Sequence, residues 1–166
     1  AIEHDMFESS ARALYSGLHS FLSANKERRD LILSQRTPTV DQHVHMRGEY
    51  GRFNTLVEHA KQSRDIFLVI GPPGTGKTSF GLLNILKEEL TDEHSNIVLL
   101  SYTNRAVDEM CSKLVESNID FIRIGSELNC DEAFHDHLLS HRVELCRTGK
   151  EVKEVVDGMR VFCATT

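Results

Sequence analysis

The sequence predicts an α/β fold in which a parallel β-sheet is enclosed between layers of helices. Short apolar runs alternate with helical patterns between residues 66 and 164, as expected for successive βαβ units. The first of these runs, Ile66–Ile70, stops at a glycine- and proline-rich loop, and a helical pattern follows the loop at once. A strand, a glycine-rich loop and a helix in this order are typical of a phosphate-binding unit. We therefore expect a three-layer αβα domain that is preceded by N-terminal helices.

The loop has the pattern G-x-x-x-x-G-K-[ST], which begins at Gly71. Glycines let the backbone N–H groups turn toward an anion, and the following helix adds free N–H groups and its positive dipole end. Lys77 supplies a charge for the β/γ-phosphates and Thr78 a hydroxyl ligand for Mg²⁺, so these two are the predicted catalytic residues of a P-loop NTPase. The alternative is a glycine turn that binds nothing. The predicted nucleotide-binding residues are Gly71, Pro72, Pro73, Gly74, Thr75, Gly76, Lys77, Thr78 and Ser79.

Composition places few limits on function. The 166 residues suit one domain, and 40% hydrophobic and 27% charged residues are ordinary values for a globular protein. A net charge of −6 neither indicates nor excludes nucleic-acid binding, because a local groove matters more than the sum. The four cysteines are scattered without a C-x-x-C pair, which favours reduced thiols over disulfides. With no apolar run of membrane-spanning length and no signal peptide, the prediction is a cytoplasmic protein with no membrane association.

The N-terminal part is predicted to be helical. Residues 2–24 form an amphipathic pattern that is typical of a packing helix, and a second helix is expected over Lys26–Leu33. Residues 37–50 form a polar connector, and Phe53–Gln62 is a third helix. The predicted domain boundary lies at residue 50, with a helical segment and connector at 1–50 and the nucleotide-binding domain at 51–166. The apolar face of the first helix comprises Phe7, Ala11, Leu14, Leu18 and Phe21.

The remaining elements follow from apolar runs and their spacing. Strands are predicted at Ile97–Leu100, Phe121–Ile124 and Arg160–Ala164, and the continuous apolar run of the first is expected to be covered on both faces. Helices are predicted over 77–90, 106–115, 131–139 and 151–156. Ligands of parallel sheets bind at the carboxyl ends of the strands. That rule predicts that residues 71–78, 101–104 and 165–166 lie together at one edge. The inward-facing residues are predicted to be Leu82, Leu83, Leu86, Leu90, Val107, Met110, Cys111 and Leu114.

Two groups of histidines are candidate metal ligands. His43 and His45 alternate in the connector without a third ligand. His137 and His141 stand four residues apart near His135, but the neighbouring cysteines do not have the spacing of a zinc finger. Solvated or packed imidazoles are therefore the favoured interpretation at both places.

A phosphate loop alone identifies a nucleotide-binding protein and no particular reaction. Hydrolysis needs an acidic residue at the end of a second apolar strand to hold the Mg²⁺ shell. The three predicted strands after the loop run instead into Ser101, Gly125 and Thr165. AAA+ ATPases share the sequence GPPGTGKT but carry the acidic strand within this length, so its absence argues against them.

Four segments resemble superfamily 1 helicases, in particular the 5′-to-3′ branch that contains nonsense-mediated-decay and Okazaki-fragment-processing enzymes. Phe67–Ser79 resembles motif I, and Ile97–Asp108 (IVLLSYTNRAVD) resembles motif Ia, which is the discriminating match. Phe121–Ser126 is similar to the Arg-hydrophobic-Gly segment, and Arg160–Thr166 to the strand before the acidic motif. The resemblance implies the N-terminal part of a first RecA-like motor domain, cut before the acidic Walker B motif.

The resemblance also implies ATP and Mg²⁺ as cofactors and single-stranded DNA or RNA as the partner of the full-length helicase. Hydroxyl and amide groups contact backbone phosphates without recognising sequence, which suits a translocating motor. Helix capping alone is the alternative explanation for the polar residues 101–104. The implied nucleic-acid-binding residues are Tyr102, Thr103, Asn104, Thr165 and Thr166.

Three other functions remain alternatives at this point: a protein-remodelling AAA+-type ATPase, a nucleotide-gated binding module without catalysis, and a small-molecule kinase. The sequence also departs from the helicase family at one position. The glutamine that recognises adenine is expected near Phe53, and Gln42 and Gln62 only flank that place. Tyr50 or Phe53 is a candidate for stacking on the base instead. The oligomeric state and the choice between DNA and RNA do not follow from the sequence.

We expect the 166-residue chain alone to turn over ATP negligibly. In the family, an arginine finger from the second motor domain completes the site, and such fingers contribute about 10³–10⁵ in rate. Steady-state phosphate release from the purified chain measures this. A rate of several turnovers per second would show that the expected missing parts are not needed.

Overall fold

The structure, a computed structural model, describes residues 6–72 and 74–166; in 6–10, 78 and 79 it describes the backbone alone. The chain divides into two compact units. One contains the chain up to Asp41 together with Ser63–Ile66, and the other contains Gln42–Gln62 and Phe67–Thr166. The boundary that the sequence predicted at residue 50 stays a prediction.

The first unit contains helices α1 (Met6–Ser23) and α2 (Lys26–Ile32), close to the predicted ranges. Asn25 begins α2, because its side chain accepts a hydrogen bond from the backbone N–H of Arg28 at 2.9 Å. The prediction that α1 buries its apolar face is wrong. Leu14 and Leu18 on that face are 76% and 55% exposed, since an amphipathic period predicts a helix but names no partner for its apolar side.

Asp65 is the main polar anchor within the first unit. Its Oδ2 atom accepts hydrogen bonds from the backbone N–H of Thr39 at 2.7 Å and from the Arg36 guanidinium at 3.0 Å. These bonds hold the pKa of Asp65 well below its ordinary value. A single antiparallel bridge between Val40 and Ser63 lies beside them, so residues 63–66 are tied to the predicted connector.

The second unit contains the sheet. Its strands are β1 (Ile97–Ser101), β2 (Ile122–Arg123) and β3 (Val161–Thr165), arranged in the order β1-β3-β2. Both pairings are parallel, with Leu99 and Arg123 each opposite Cys163. The predicted α/β class with a parallel sheet is therefore confirmed. The α-helices described in this unit are α3 (Asn54–Gln62), α4 (Leu83–Glu89), α5 (Asn104–Glu116), α6 (Leu139–Arg142) and α7 (Gly149–Asp157).

Helix α5 packs on β1 and β3 and forms the centre of the core. Its buried residues Val107, Met110, Cys111 and Leu114 are those that the helical period predicts. Leu86 of α4 is also buried, and the three other leucines predicted on the inner side of that helix pack against the same core. No helix within residues 6–72 and 74–166 is long and apolar enough to cross a bilayer.

The strand predicted at Ile66–Ile70 is wrong. These residues form no regular strand, and their side chains are exposed, with Ile70 at 93%. The expectation that both faces of β1 are covered is also wrong, because Val98 and Leu100 are more than half exposed. A run of apolar residues predicts extended chain, but it does not encode the neighbouring strand that residues 66–70 would need to satisfy their backbone groups. Nor does it encode the layer that would cover the second face of β1, which is itself paired with β3.

Several helices differ in type from the prediction. The helix after the phosphate loop begins as a π-helix, Lys77–Leu82, before it continues as α4. The segment predicted over 131–139 is a 3₁₀-helix, Glu132–His137, followed by the short helix α6. The helix predicted over 151–156 begins two residues earlier, at Gly149, where the Thr148 side chain accepts from the Glu151 N–H at 3.3 Å.

Glu88 joins α4 to the connector before α3. Its side chain is 1% exposed and accepts hydrogen bonds from the N–H groups of Arg47 and Gly48 and from the Tyr50 hydroxyl, at 2.9–3.0 Å. Burial alone raises the pKa of Glu88, but these bonds outweigh burial and the net pKa is lowered. Burial and the bond to Glu88 raise the pKa of Tyr50 to about 12. The connector is thus held by one ionised carboxylate.

We expect Glu88→Gln to lower the free energy of unfolding at pH 7 by about 1.5–3 kcal/mol, because bonds to a charged acceptor are stronger than neutral ones. The folded-state pKa is lowered, so this stabilisation is complete above the ordinary pKa of 4.5 and is lost as the pH falls through the folded-state value. Urea unfolding at several pH values measures both effects.

Glu89→Gln is the matched control, since the next residue of the same helix only pairs with Lys61 at 3.3 Å and is one-third exposed. Its effect should stay below about 1 kcal/mol. Equal effects of the two variants, or a Glu88→Gln effect that does not shrink in acid, would contradict the assigned role of Glu88.

Candidate phosphate-binding site and nucleic-acid interface

The phosphate loop has the backbone that an anion-binding nest needs. Gly74 and Gly76 have φ angles of +78° and +79°, in the left-handed region where a side chain is strained. The helix begins directly after them at Lys77, and the first backbone bonds of this helix run from Phe80 and Gly81 to the carbonyl of Gly76. The amides before Phe80 therefore belong to the first turn, where N–H groups lack helical partners and point outward.

Lys77 closes this loop on itself. Its ammonium group donates to the carbonyl of Pro72 at 2.7 Å and to that of Gly71. The Thr75 hydroxyl also donates to the Pro72 carbonyl, at 2.8 Å. Lys77 thus lies over the loop in which it is predicted to neutralise the phosphates. Pro73 lies outside the described residues, and so do the side chains of Thr78 and Ser79, so the predicted Mg²⁺ ligand stays a prediction.

An aromatic pair adjoins the loop. The ring of Phe80 would lie 3.0 Å from a Cβ atom placed on Gly76, and the Phe53 ring stacks on Phe80 with centroids 6.3 Å apart. The Arg52 guanidinium lies 4.9 Å from the Phe53 centroid. Of the two proposed base-stacking residues, Phe53 is therefore near the loop, whereas the hydroxyl of Tyr50 is bonded to Glu88.

The carboxyl ends of β1 and β3 lie side by side. Ser101 is in register with Thr165, and the N–H of Thr166 donates to the Ser101 carbonyl at 3.0 Å. Tyr102 is 88% exposed, and Thr103, Thr165 and Thr166 are exposed as well. Four of the five predicted nucleic-acid contacts thus form one polar strip at this edge. We call these four residues, Tyr102, Thr103, Thr165 and Thr166, the edge strip.

Thr103 is the N-cap of α5, and its hydroxyl accepts from the Ala106 N–H at 3.3 Å. The structure therefore shows the helix cap that was the alternative explanation for the polar residues 101–104. It accounts for Thr103 but not for the exposed ring of Tyr102, which has no role in the cap.

Within the described residues, packing connects the phosphate loop to the edge strip. The π-helix after the loop contacts α5, and Leu82 and Leu83 pack near Leu99 and Met110. Among the described residues, no hydrogen bond joins the loop to the strip. Residues 101–104 and 165–166 lie close together, as predicted. The phosphate loop is linked to them through α5, which contacts the helix that follows the loop.

Arg123 is the arginine of the segment matched at Phe121–Ser126, and it lies at the edge, but no role was assigned to it from the sequence. Its side chain is fully buried, donating to the Ile124 carbonyl at 2.6 Å and to Asn104 Oδ1 at 2.9 Å, and its Nε lies 3.5 Å from an Asp108 carboxylate oxygen. The signal was present in the run Phe121–Ile124, because a charge inside a buried apolar strand requires a partner.

The histidines have ordinary protein partners. His141 Nε2 lies 2.6 Å from a Glu127 carboxylate oxygen, and His137 stacks on Phe121 with centroids 4.2 Å apart. His45 pairs with Glu58 at 3.0 Å. Within the described part of the chain, no three histidine, cysteine or acidic residues are grouped as metal ligands.

A family model described as an AAA domain matches residues 54–165, a range that includes the phosphate loop and all three strands. The chain belongs to this AAA domain family. The match covers α3 through β3, so the elements that position the candidate site are those of the family.

Comparison with individual proteins places the chain closer to particular members, whose names identify them as helicases. The chain is 36% identical over 106 residues to the DNA replication ATP-dependent helicase/nuclease JHS1 of Arabidopsis thaliana, covering 62% of the chain and 7% of that protein. It is 33% identical over 93 residues to the DNA replication ATP-dependent helicase/nuclease DNA2 of Homo sapiens, covering 56% and 8%. Its identity to the DNA polymerase alpha-associated DNA helicase A of Schizosaccharomyces pombe is 34% over 86 residues, covering 52% and 12%.

These relatives confirm the recognition of a superfamily 1 helicase motor segment that the motifs indicated. They do not favour the alternatives of protein remodelling or a non-catalytic binding module. The aligned regions span only 7% to 12% of the three relatives.

We expect Lys77→Ala to weaken nucleotide binding about ten- to a hundredfold, because a charge-assisted contact to phosphate contributes about 1.5–3 kcal/mol. Titration of a fluorescent ATP analogue into both forms measures the change. Lys87→Ala, at a second lysine that follows on α4, is the control and should bind as the wild type does. Equal affinity of Lys77→Ala and the wild type would remove the role assigned to Lys77.

Proposed function

We propose that this chain is the ATP-binding part of a helicase that uses ATP hydrolysis to move along single-stranded nucleic acid. The observation that supports this most is the packing of two different sites on one helix. The phosphate-loop helix contacts α5, and the N-cap of α5, Thr103, is one residue of the edge strip. A change at the bound nucleotide would therefore reach the strip through a rigid element.

The phosphate site in this proposal uses backbone N–H groups and one cation. The left-handed glycines Gly74 and Gly76 shape the loop, and Lys77 neutralises the β/γ-phosphates. The Thr78 hydroxyl would hold Mg²⁺, which lowers the charge on the same phosphates. An arginine finger and the acidic residues for hydrolysis would come from elsewhere in the full-length protein.

The edge strip supplies the nucleic-acid contacts in this proposal. Its hydroxyl groups suit phosphate oxygens, and the exposed ring of Tyr102 suits the face of a base. Such contacts are independent of sequence, as a translocating enzyme requires. The named relatives are DNA helicases, which makes single-stranded DNA the first polymer to test.

We expect ATP hydrolysis by the full-length protein to be stimulated by single-stranded DNA and abolished by removing Mg²⁺ with EDTA. Tyr102→Ala should raise the DNA concentration needed for half-maximal stimulation about five- to a hundredfold, since stacking on a base contributes about 1–3 kcal/mol. Tyr102→Phe keeps the ring and should lose much less. Phosphate release at varied DNA concentration measures both variants.

ATP affinity without DNA should be unchanged in both variants, because Tyr102 is predicted not to touch the nucleotide. Hydrolysis stimulated by an unfolded protein and not by DNA or RNA would contradict the helicase proposal and support protein remodelling. Stimulation by DNA that both variants leave unchanged would keep the helicase proposal and remove Tyr102 from the interface.

A further inference from the structure

Arg123 is the one arginine in the described chain that is completely buried. A buried guanidinium is costly unless its N–H groups find acceptors; here the two terminal nitrogens find them beside β2 and on α5, while Nε has only the nearby charge of Asp108 and no hydrogen-bond acceptor. Nη1 donates to the Ile124 carbonyl at 2.6 Å, Nη2 to Asn104 Oδ1 at 2.9 Å, and Nε faces Asp108 Oδ1 at 3.5 Å. The cation therefore ties the end of β2 to the first turn of α5.

The bond to Asn104 fixes the orientation of its amide. A guanidinium group only donates hydrogen bonds, so the amide atom that faces it must be the oxygen. The amide nitrogen of Asn104, with its two N–H groups, then points away from Arg123. No described hydrogen bond uses that nitrogen, and Asn104 directly follows Tyr102 and Thr103 of the edge strip.

We propose that Arg123 is a positioning residue for nucleic-acid binding: it holds the Asn104 amide so that its N–H groups face a backbone phosphate at the edge strip. This rests on the proposed nucleic-acid function of that strip. A neutral N–H donor suits a phosphate oxygen. The wrong amide rotamer would present a carbonyl oxygen to the phosphate, and the Arg123 bond excludes it.

The surroundings of Arg123 are built to keep it fixed. The N–H of Ile124 donates to the Cys163 carbonyl at 2.8 Å, which holds the chain after Arg123 against β3. A Cβ atom at Gly125 would lie 3.3 Å from Arg123 Nη1, so a glycine leaves room for the guanidinium. The N–H of Asp131 donates to the second carboxylate oxygen of Asp108 at 3.3 Å, which orients the acid toward Arg123.

The test measures binding of the full-length protein to a labelled single-stranded DNA by fluorescence anisotropy. Asn104→Ala and Arg123→Lys should each weaken binding about three- to tenfold, the range expected for one hydrogen bond. The double variant should bind no more weakly than Asn104→Ala, because Arg123 acts through that amide. Affinity for an ATP analogue should be unchanged throughout.

Arg160→Lys is the matched control for a purely structural loss. Arg160 also donates to backbone carbonyls, those of Leu90, Asp92 and Ser95, but it lies at the opposite end of β3. The Arg160→Lys variant should therefore have a lower thermal midpoint and an unchanged affinity for DNA. Asn104→Asp keeps the acceptor for Arg123, so its thermal midpoint should not fall, but it removes the donor and should weaken DNA binding. If Arg123→Lys does not fold, Arg123→Gln takes its place beside Asn104→Ala, with the same expected results.

The outcomes separate this inference from the proposed function. A wild-type protein that binds no nucleic acid would overturn both. If the wild type binds DNA and Asn104→Ala or Asn104→Asp binds equally well, the role of the Asn104 amide is overturned, but the proposed function is not. The role of Arg123 would be overturned if Arg123→Lys bound as the wild type does, or if its effect multiplied with that of Asn104→Ala.

Discussion

The parallel register between β1 and β3 is the constraint on which the rest of the second unit depends. It aligns Ser101 with Thr165 and brings the carboxyl ends of two strands to the same level. Strand β3 lies between β1 and β2, so it also sets the height at which Arg123 meets α5. A shift of this register by one residue would turn Cys163 out of the core and move every polar group of the edge strip.

Helix α5 connects the sheet to the candidate site. Its buried stripe packs on the sheet, its first turn carries Thr103 and Asn104, and its side contacts the helix of the phosphate loop. The apolar packing of α5 thus determines where the phosphate loop and the polar first turn of α5 lie relative to each other. The polar bonds of Arg123 then fix the orientation of one of those groups within the position that packing allows.

The sequence predicted the parts of this fold that local pattern determines. The inward residues of α5 and the positions of β1 and β3 follow from spacing, and the loop follows from its glycines. The pairing of strands did not follow, because an apolar run such as Ile66–Ile70 specifies extended chain without specifying a neighbour. The burial of Arg123 was also missed, since its side-chain partners on α5, Asp108 and Asn104, are 15 and 19 residues distant in sequence.

The contact of Lys77 with its own loop has a consequence for the energetics of nucleotide binding. An arriving phosphate does not meet a free ammonium group; it displaces the carbonyls of Gly71 and Pro72 from it. The gain at Lys77 is thus an exchange of acceptors, and the released carbonyls must find water. A phosphate and the two loop carbonyls would therefore compete for the same N–H groups of Lys77, so the contact would contribute less free energy than a bare charge meeting a triphosphate.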